Sequence, residues 1–249
     1  MSSSKTAGSP GGFVVVSIFA AVSLAVLVGL GVWQLQRLSW KTGLIEDITA
    51  RAAEAPAGLD VIVADRQAGK EIRFRRVTLT GTYDHDNELH VYGILNKYPG
   101  WRVVTPMILA DNKLVLVDRG FVPEEKKQAQ LRADGQVEGS VTITGSVRTR
   151  PEGKGFFVPA NEPESNKWYW YSMTNMLGQV SDKTNATGQL FFVQLDEPDH
   201  GGAWPQALKV SPKINNPHLG YALTWFGLAL TLLGVYAAYI LTAFRKKSK

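Results

Sequence analysis

The chain has 249 residues, of which 45% are hydrophobic, and a formal net charge of +5 at pH 7. It contains no cysteine, which excludes disulfides, thiolate metal sites and cysteine nucleophiles. Much of the positive charge lies in the last five residues and no basic stripe with interleaved aromatic residues is present, so the composition gives no indication of nucleic-acid binding.

Two long apolar segments lie near the ends of the chain, Phe13–Trp33 and Leu219–Phe244, and neither contains a charged residue. At about 1.5 Å per residue, each helix would span the roughly 30 Å hydrocarbon core of a bilayer. The first segment is longer than the apolar core of a signal peptide and lacks a small-x-small cleavage site. We therefore predict two transmembrane helices, at 13–33 and 217–244, with the lipid bilayer as their surroundings.

The charges that flank these segments predict the orientation. The C-terminal tail, 245–249, reads RKKSK and should stay in the cytoplasm, which also places the polar N-terminal tail, 1–12, in the cytoplasm. Residues 34–216 should then form a periplasmic domain, although Arg37 and Lys41 run against the charge rule. No Arg-rich presequence precedes the first helix, which favours a bacterial inner membrane over a mitochondrial inner membrane.

The segment between the two apolar helices reads as one β-rich domain. Residues 34–55 lack proline and continue the helical pattern, and helices are also predicted at 123–133 and 173–180. Short alternating or β-branched runs predict strands, at 72–82, 88–95, 102–109, 113–122, 140–148, 168–172 and 190–195. The predicted fold is a mainly antiparallel β-barrel or sandwich-like domain with a few helices, flanked by the two transmembrane helices.

The common catalytic signatures are missing, including the G-x-S-x-G elbow, the P-loop and H-E-x-x-H, and the chain is predicted not to be an enzyme. The densest group of acids and imidazoles is Asp84, His85, Asp86, Glu88 and His90. Such ligands could hold a metal in a membrane-tethered enzyme. The alternative is a turn between two strands, where Asp and Asn are favoured for backbone reasons.

His218 stands apart from the other histidines because it lies at the head of the second apolar helix. Asn216 suits the N-cap and Pro217 the first helical position, which places His218 at the outer membrane interface. The positive end of the helix dipole disfavours imidazolium there, so the ring can bind a metal. Tyr221 and Trp225 share its helical face, together with Ala222 and Ala229. An ordinary interfacial aromatic belt would have the same pattern.

The first helix carries a second polar and aromatic face at its outer end. Trp33, Arg37 and Trp40 share this face with Gly29 and Gln36 by helical spacing. Arg37 could pair with anionic groups of a ligand or with lipid phosphate. Together the two faces could hold a flat, amphipathic ligand with carboxylates and a metal, a description that haem fits.

Four stretches resemble one family: LGVWQLQRLSWKTGLI, GWRVVTPM with LVLVDRGFVP, NKWYWYSM, and NNPHLGYALTWFGLA. In this order, and between two apolar helices, they resemble the Surfeit locus protein one family, membrane-bound assembly factors of cytochrome c oxidase. The positions that match are Trp33, Gln34, Arg37, Trp40, Lys41, Gly120, Trp168, Trp170, His218, Tyr221, Thr224 and Trp225. Two departures are Pro217, which interrupts the usual NNH and leaves the depth of His218 open, and GFVP in place of GWVP.

The resemblance implies a function that composition alone does not reach. It implies binding of haem a, with His218 as axial ligand, and help in inserting or stabilising that haem in oxidase subunit one. Haem A synthase would be a further partner. Trp33, Arg37, Trp40, Tyr221 and Trp225 are then candidate haem contacts, and the haem iron is the metal that His218 would bind. A scaffold that stabilises oxidase subunits without binding haem is the alternative.

Overall fold

The computed structural model describes residues 10–150, 153–184, 186–208 and 215–247. The chain divides into two compact units. The helical unit comprises the described parts of Met1–Asp47 and Lys213–Lys249, and the sheet domain comprises those of Ile48–Pro212. The predicted N-terminal tail lies largely outside the described residues, as do the last two residues of the predicted basic tail.

Two long helices account for the predicted transmembrane segments. Helix α1 covers Pro10–Ala53 and helix α4 covers His218–Lys247. Both are long and apolar enough to cross a membrane, and only 0% and 6% of their most apolar windows are buried inside the protein. At about 1.5 Å per residue, α1 is roughly 66 Å long, more than twice the hydrocarbon thickness. Helix α1 therefore continues well past Trp33, as its sequence predicts.

The two helices contact each other along their length in antiparallel fashion. Near the chain ends, the rings of Phe13 and Tyr239 stack with centroids 6.1 Å apart. Further along, a Cβ atom added to Gly31 would lie only 2.7 Å from the ring of Phe226. Because Gly31 has no side chain, the aromatic ring can lie against the backbone of α1, and the two helices pack closely at this level.

The sheet domain contains seven strands in its described residues, with two short helices beside them. The elements are β1 (Ala57–Gly58), α2 (Leu59–Gln67), β2 (Arg76–Tyr83), β3 (Leu89–Leu95), β4 (Tyr98–Leu109), β5 (Lys113–Pro123), β6 (Ser140–Arg148), α3 (Met173–Thr184) and β7 (Thr187–Leu195). Their order in the sheet is β1-β2-β6-β7-β5-β4-β3, and β2 also pairs with β4 at Gly81–Tyr83.

The sheet is mainly antiparallel, as predicted, but it also contains parallel pairs and is therefore mixed. Most neighbours are antiparallel, but β5 runs parallel to β7, and β1 runs parallel to β2. Parallel neighbours need a long crossover connection. Here β6 and α3 lie between β5 and β7 in the chain, and this connection is long enough to bring β7 back in the same direction as β5.

Most predicted elements form, and two differ for identifiable reasons. Residues 168–172 form only a single parallel bridge, from Trp168 to Val91 of β3, and no continuous strand. The next two backbone N–H groups, of Tyr169 and Trp170, donate to the Asn161 Oδ1 atom at 2.8 and 3.2 Å instead of continuing the pairing. Residues 123–133 form 3-10 turns instead of one α-helix. The backbone of Arg132 is not helical there, with φ −144° and ψ 46°, and its side chain is drawn into the interior.

Strand β5 separates two hydrophobic cores because its side chains alternate between them. Val115 and Val117 belong to the core that also contains Ile62 of α2, whereas Leu114 and Leu116 belong to the core that contains α3 and Trp168. The run LVLV is thus buried on both sides of the sheet, which explains why it is continuously apolar in the sequence.

Candidate functional site

His218 is the first residue of α4, and its imidazole is held by α1. The Nδ1 atom lies 2.7 Å from the Oε1 atom of Gln34, a residue that is only 9% exposed. Because an amide oxygen accepts hydrogen bonds, Nδ1 carries the proton in this arrangement and Nε2 keeps a free lone pair. The contact therefore fixes both the orientation and the tautomer of the ring.

The chain just before His218 is also attached to α1. The Nζ atom of Lys41 donates to the backbone oxygen of Asn215 at 2.6 Å, and the Nδ2 atom of Asn216 donates to the Thr42 hydroxyl oxygen at 3.3 Å. Sequence reasoning gives Asn216 the role of N-cap, and in the structure its amide nitrogen binds across to α1. The head of α4 is thereby fixed at three points, counting the contact of His218.

The predicted stripe on α4 divides into a buried part and an exposed part. Ala222 and Ala229 are 1% and 4% exposed and lie on the face of α4 that carries His218 toward α1. Tyr221 is 55% exposed, and Trp225 is half-buried. The small residues therefore allow the helices to pack, and the two aromatic side chains remain at least partly exposed.

The predicted face on α1 is exposed and does not include the residue that binds His218. Trp33 and Trp40 are 52% and 56% exposed, and the guanidinium of Arg37 stacks 4.3 Å from the centre of the Trp40 ring. Helical spacing selected Gln36, which is exposed, whereas Gln34 makes the contact. A signal for Gln34 was present in the sequence, since it lies three residues after Gly31 and shares its face.

Comparison with known proteins gives the family. The SURF1 family profile matches residues 21–230, which is most of the chain. This chain belongs to the SURF1 family. It is 34% identical over 231 residues to a SURF1-like protein of Monosiga brevicollis, covering 88% of this chain and 85% of that protein. It is 33% identical over 221 residues to the Surfeit locus protein 1 of Mus musculus, covering 82% and 69% respectively.

The SURF1 family also includes bacterial members. A SURF1-like protein of Rickettsia conorii is 29% identical over 226 residues, which cover 88% of each chain. The resemblance that the four sequence stretches indicated is therefore confirmed, and relatives occur in both bacteria and animals.

Some of the positions that match the SURF1 family are structural in this chain. Trp168 is fully buried in the core beside α3. Gly120 has φ +124°, and a Cβ atom there would lie 1.9 Å from the backbone oxygen of Gln206. A match to the family pattern therefore does not by itself identify a residue that contacts a ligand.

The acid and imidazole group at residues 84–90 forms a network inside the sheet domain. Glu88 is 5% exposed and accepts hydrogen bonds from Arg132 and from the hydroxyl of Thr105, and His85 Nδ1 lies 3.1 Å from its Oε1 atom. His90 Nδ1 lies 3.0 Å from the amide nitrogen of Asn166. Across the described ranges, no three His, Asp or Glu residues are grouped as a metal site would require.

This network extends to a second buried arginine. Arg119 is fully buried and binds both carboxylate oxygens of Asp199, at 2.9 and 3.0 Å. Its Nη1 atom lies 3.7 Å from Glu88 Oε1. We call Glu88, Arg119, Arg132 and Asp199 the buried charge network. Buried charges are tolerated only when they are paired and hydrogen-bonded, and each member of the network has such a partner.

The network predicts that the sheet domain loses stability in acid. Burial would raise the pKa of Glu88, but hydrogen bonds from His85 and Arg132 and the charges of Arg132 and Arg119 outweigh it and hold the pKa at about 2. Burial also lowers the pKa of His90 to about 4. Both values lie below those of the unfolded chain, so the unfolded state binds more protons, and stability falls as pH falls.

The loss should occur in two windows, from about pH 6.5 to 4 for His90 and from about pH 4.5 to 2 for Glu88, each worth on the order of 3 kcal/mol. Denaturant unfolding of the full chain in detergent at a series of pH values measures this. His90→Gln should remove the upper window and leave the lower one. A profile that is flat between pH 6.5 and 3 would contradict the prediction.

Proposed function

We propose that this SURF1-family protein is a non-enzymatic assembly factor for a haem–copper terminal oxidase, cytochrome c oxidase, and that it binds haem a for insertion into subunit one. Haem A synthase is the proposed source of that haem. The observation that supports this most directly is the contact between His218 Nδ1 and Gln34 Oε1 at 2.7 Å. Histidines that bind metals commonly donate their other ring N–H to such an acceptor, which orients the ring and makes it a better ligand.

Aromatic and basic side chains on the same two helices suit a flat, amphipathic cargo. Imidazole is a common axial ligand of haem iron, and the bound haem would supply a coordination position for the Nε2 atom of His218. Trp33, Trp40 and Tyr221 expose large aromatic surfaces, and Arg37 stacks on Trp40. Aromatic rings can cover a porphyrin face, and a guanidinium can pair with a propionate carboxylate.

The proposed site requires a membrane environment, since haem a is largely apolar. Helices α1 and α4 satisfy the length and hydropathy for crossing a bilayer. We propose the bacterial inner membrane, with both chain ends in the cytoplasm and the sheet domain in the periplasm. The basic residues that follow Phe244 support this orientation.

The test measures haem binding by the full chain and by variants in which His218 or one of two glutamines of α1 is replaced. The protein is expressed with haem A synthesis, purified in detergent and examined by absorption spectroscopy. His218→Ala should lose the haem a spectrum. Gln34→Leu should reduce haem affinity by about 10-fold to 100-fold, because the ring loses its orienting acceptor. Gln36→Leu is the matched control, since Gln36 is exposed two residues away, and it should bind haem like the native chain.

Each result separates haem binding from the alternative function. Retention of the full haem a spectrum by His218→Ala, with an unchanged fold, would refute ligation by this residue. Absence of haem from the native chain would refute the haem proposal and favour a scaffold that stabilises oxidase subunits without a cofactor. Equal losses in Gln34→Leu and Gln36→Leu would show that disturbance of α1, and not the contact to His218, weakens binding.

A further inference from the structure

The surface of the sheet domain carries a cleft that the proposed haem site does not use. Its volume is about 400 Å³, and it is lined by Tyr92, Arg150, Gly153 and the aromatic run Tyr169–Tyr171. We call it the arginine–aromatic cleft. A volume of this size is sufficient for a small ligand or for part of a larger one.

The aromatic walls of the arginine–aromatic cleft are held rigidly by the domain interior. The ring of Tyr171 stacks on Phe192 with centroids 4.4 Å apart, and its hydroxyl donates to Asp118 Oδ2 at 2.7 Å. Asn161 Oδ1 accepts hydrogen bonds from the backbone of Tyr169 and Trp170. The walls therefore need no ordering when a ligand binds, which favours affinity.

The arginine–aromatic cleft has surplus positive charge. The Arg150 guanidinium lies 5.4 Å from the centre of the Tyr171 ring. Arg148, two residues earlier, has its pKa lowered by burial and by the charges of Arg150 and Arg102. The nearby carboxylate of Asp118 is already bound by Arg102 at 2.6 Å and by the Tyr171 hydroxyl. Repulsion among these arginines would be relieved by an anion.

Next to this cleft, the chain exposes two adjacent phenylalanines. Phe156 and Phe157 are 91% and 93% exposed, and their rings contact each other edge to face at 4.8 Å. Gly153 lines the cleft, and Phe156 follows three residues later, so its Cα atom lies within about 11 Å of that of Gly153. Lys154 adds a further positive charge to the same loop.

A basic side chain in the cleft, beside two exposed phenylalanines on the adjoining loop, matches one class of ligand. An anionic phospholipid carries a phosphate next to acyl chains, and proteins bind such surfaces with basic residues beside inserted aromatic side chains. A purely acidic protein surface would pair with the basic residues but would not bury the two phenylalanines. The lipid therefore accounts for both observations.

We propose that the arginine–aromatic cleft and the Phe156–Phe157 loop form a second, peripheral membrane contact. Arg150 binds the phosphate of an anionic phospholipid, and Phe156 and Phe157 insert among its acyl chains. This proposal rests on the membrane placement of α1 and α4 given above, and it is independent of haem binding.

The absence of native cysteine allows a clean test. The full chain carrying Phe157→Cys is labelled with a fluorophore sensitive to polarity and reconstituted in nanodiscs, either of phosphatidylcholine alone or with phosphatidylglycerol. The emission should shift to shorter wavelength and be quenched by acyl-chain nitroxides, more strongly with phosphatidylglycerol. R150Q should lower the ratio of the membrane-inserted to the solvent-exposed state of the Phe156–Phe157 loop about fivefold in the anionic discs. A label at Gln67→Cys, which is exposed on α2, is the control position.

The other outcomes would overturn the proposal in distinct ways. Equal shifts in both lipids would eliminate recognition of the anionic headgroup, and no shift in either would eliminate the lipid contact. A shift that requires added oxidase subunits would assign the surface to a protein partner. Co-purification of the chain with the discs reports the membrane placement separately, and a chain that is not incorporated would overturn that placement and the lipid contact together.

Discussion

Replacing Glu88 with glutamine should lower the free energy of unfolding of the sheet domain by about 3–5 kcal/mol. Glu88 is 5% exposed and receives both Nη atoms of Arg132, with Arg119 Nη1 at 3.7 Å. Glutamine has nearly the same shape but no charge, so the buried guanidinium of Arg132 would lose the carboxylate that it binds, while Arg119 would keep Asp199. Breaking a buried ion pair by removing one partner is costly because the other charge remains buried.

Thermal or denaturant unfolding of the full chain in detergent, followed by near-UV circular dichroism, measures this effect. Glu197→Gln is the matched control, since Glu197 is an exposed carboxylate of the same domain and its loss should change stability by less than about 0.5 kcal/mol. If both variants unfold alike, the buried charge network does not stabilise the domain. The helical unit should be unaffected, so haem binding near room temperature should persist in a folded Glu88 variant.

Replacing Gly120 with alanine should destabilise the same domain by about 3 kcal/mol or more. The residue has φ +124°, which is unfavourable for any side chain, and an added Cβ atom would lie 1.9 Å from the oxygen and 2.3 Å from the carbon of the Gln206 carbonyl. These close atoms belong to the backbone, which cannot rotate away from the added Cβ atom as a side chain could. The neighbouring Phe121 and Gln206 exchange two backbone hydrogen bonds of 2.9 Å, which fix this close approach.

The control for Gly120 is another glycine of the domain. Gly178 lies in α3 with nothing within 4 Å of an added Cβ atom, so Gly178→Ala should be neutral or stabilise by up to about 1 kcal/mol. Unfolding of both variants under the same conditions provides the comparison. A Gly120→Ala protein as stable as the native chain would show that the segment around Gln206 can move away at little cost.

The elements that sequence reasoning located well depend on local signals. Strand β6 has the predicted bounds, Ser140–Arg148, and α3 begins at the predicted Met173. Alternation of apolar residues and helical spacing act over a few neighbours, so they can be read without the fold. Residues 168–172 have a strand-like composition, but pairing with β3 stops after Trp168 because Asn161 accepts the next two backbone hydrogen bonds. Composition does not reveal such a competing acceptor.

The residues of the candidate site show the same difference between local signals and long-range contacts. The position of His218 at the head of an apolar helix, and the resemblance to the Surfeit locus protein one family, were both readable from the sequence. Its partner Gln34 lies 184 residues away, and the spacing argument selected Gln36 instead. A helical wheel shows which residues share a face, but only the packing of the second helix decides which face is covered.

The sequence by itself determined the two apolar helices, most strands and the family, because hydropathy, periodicity and ordered motifs are properties of neighbouring residues. Only the tertiary structure decided which distant groups meet. Arg119 and Asp199 are 80 residues apart in the sequence. Strands β5 and β7 are parallel neighbours in the sheet, although a strand and a helix separate them in the sequence. Such contacts depend on how the whole chain closes around its cores, since burying apolar surface brings together polar groups that must then be paired.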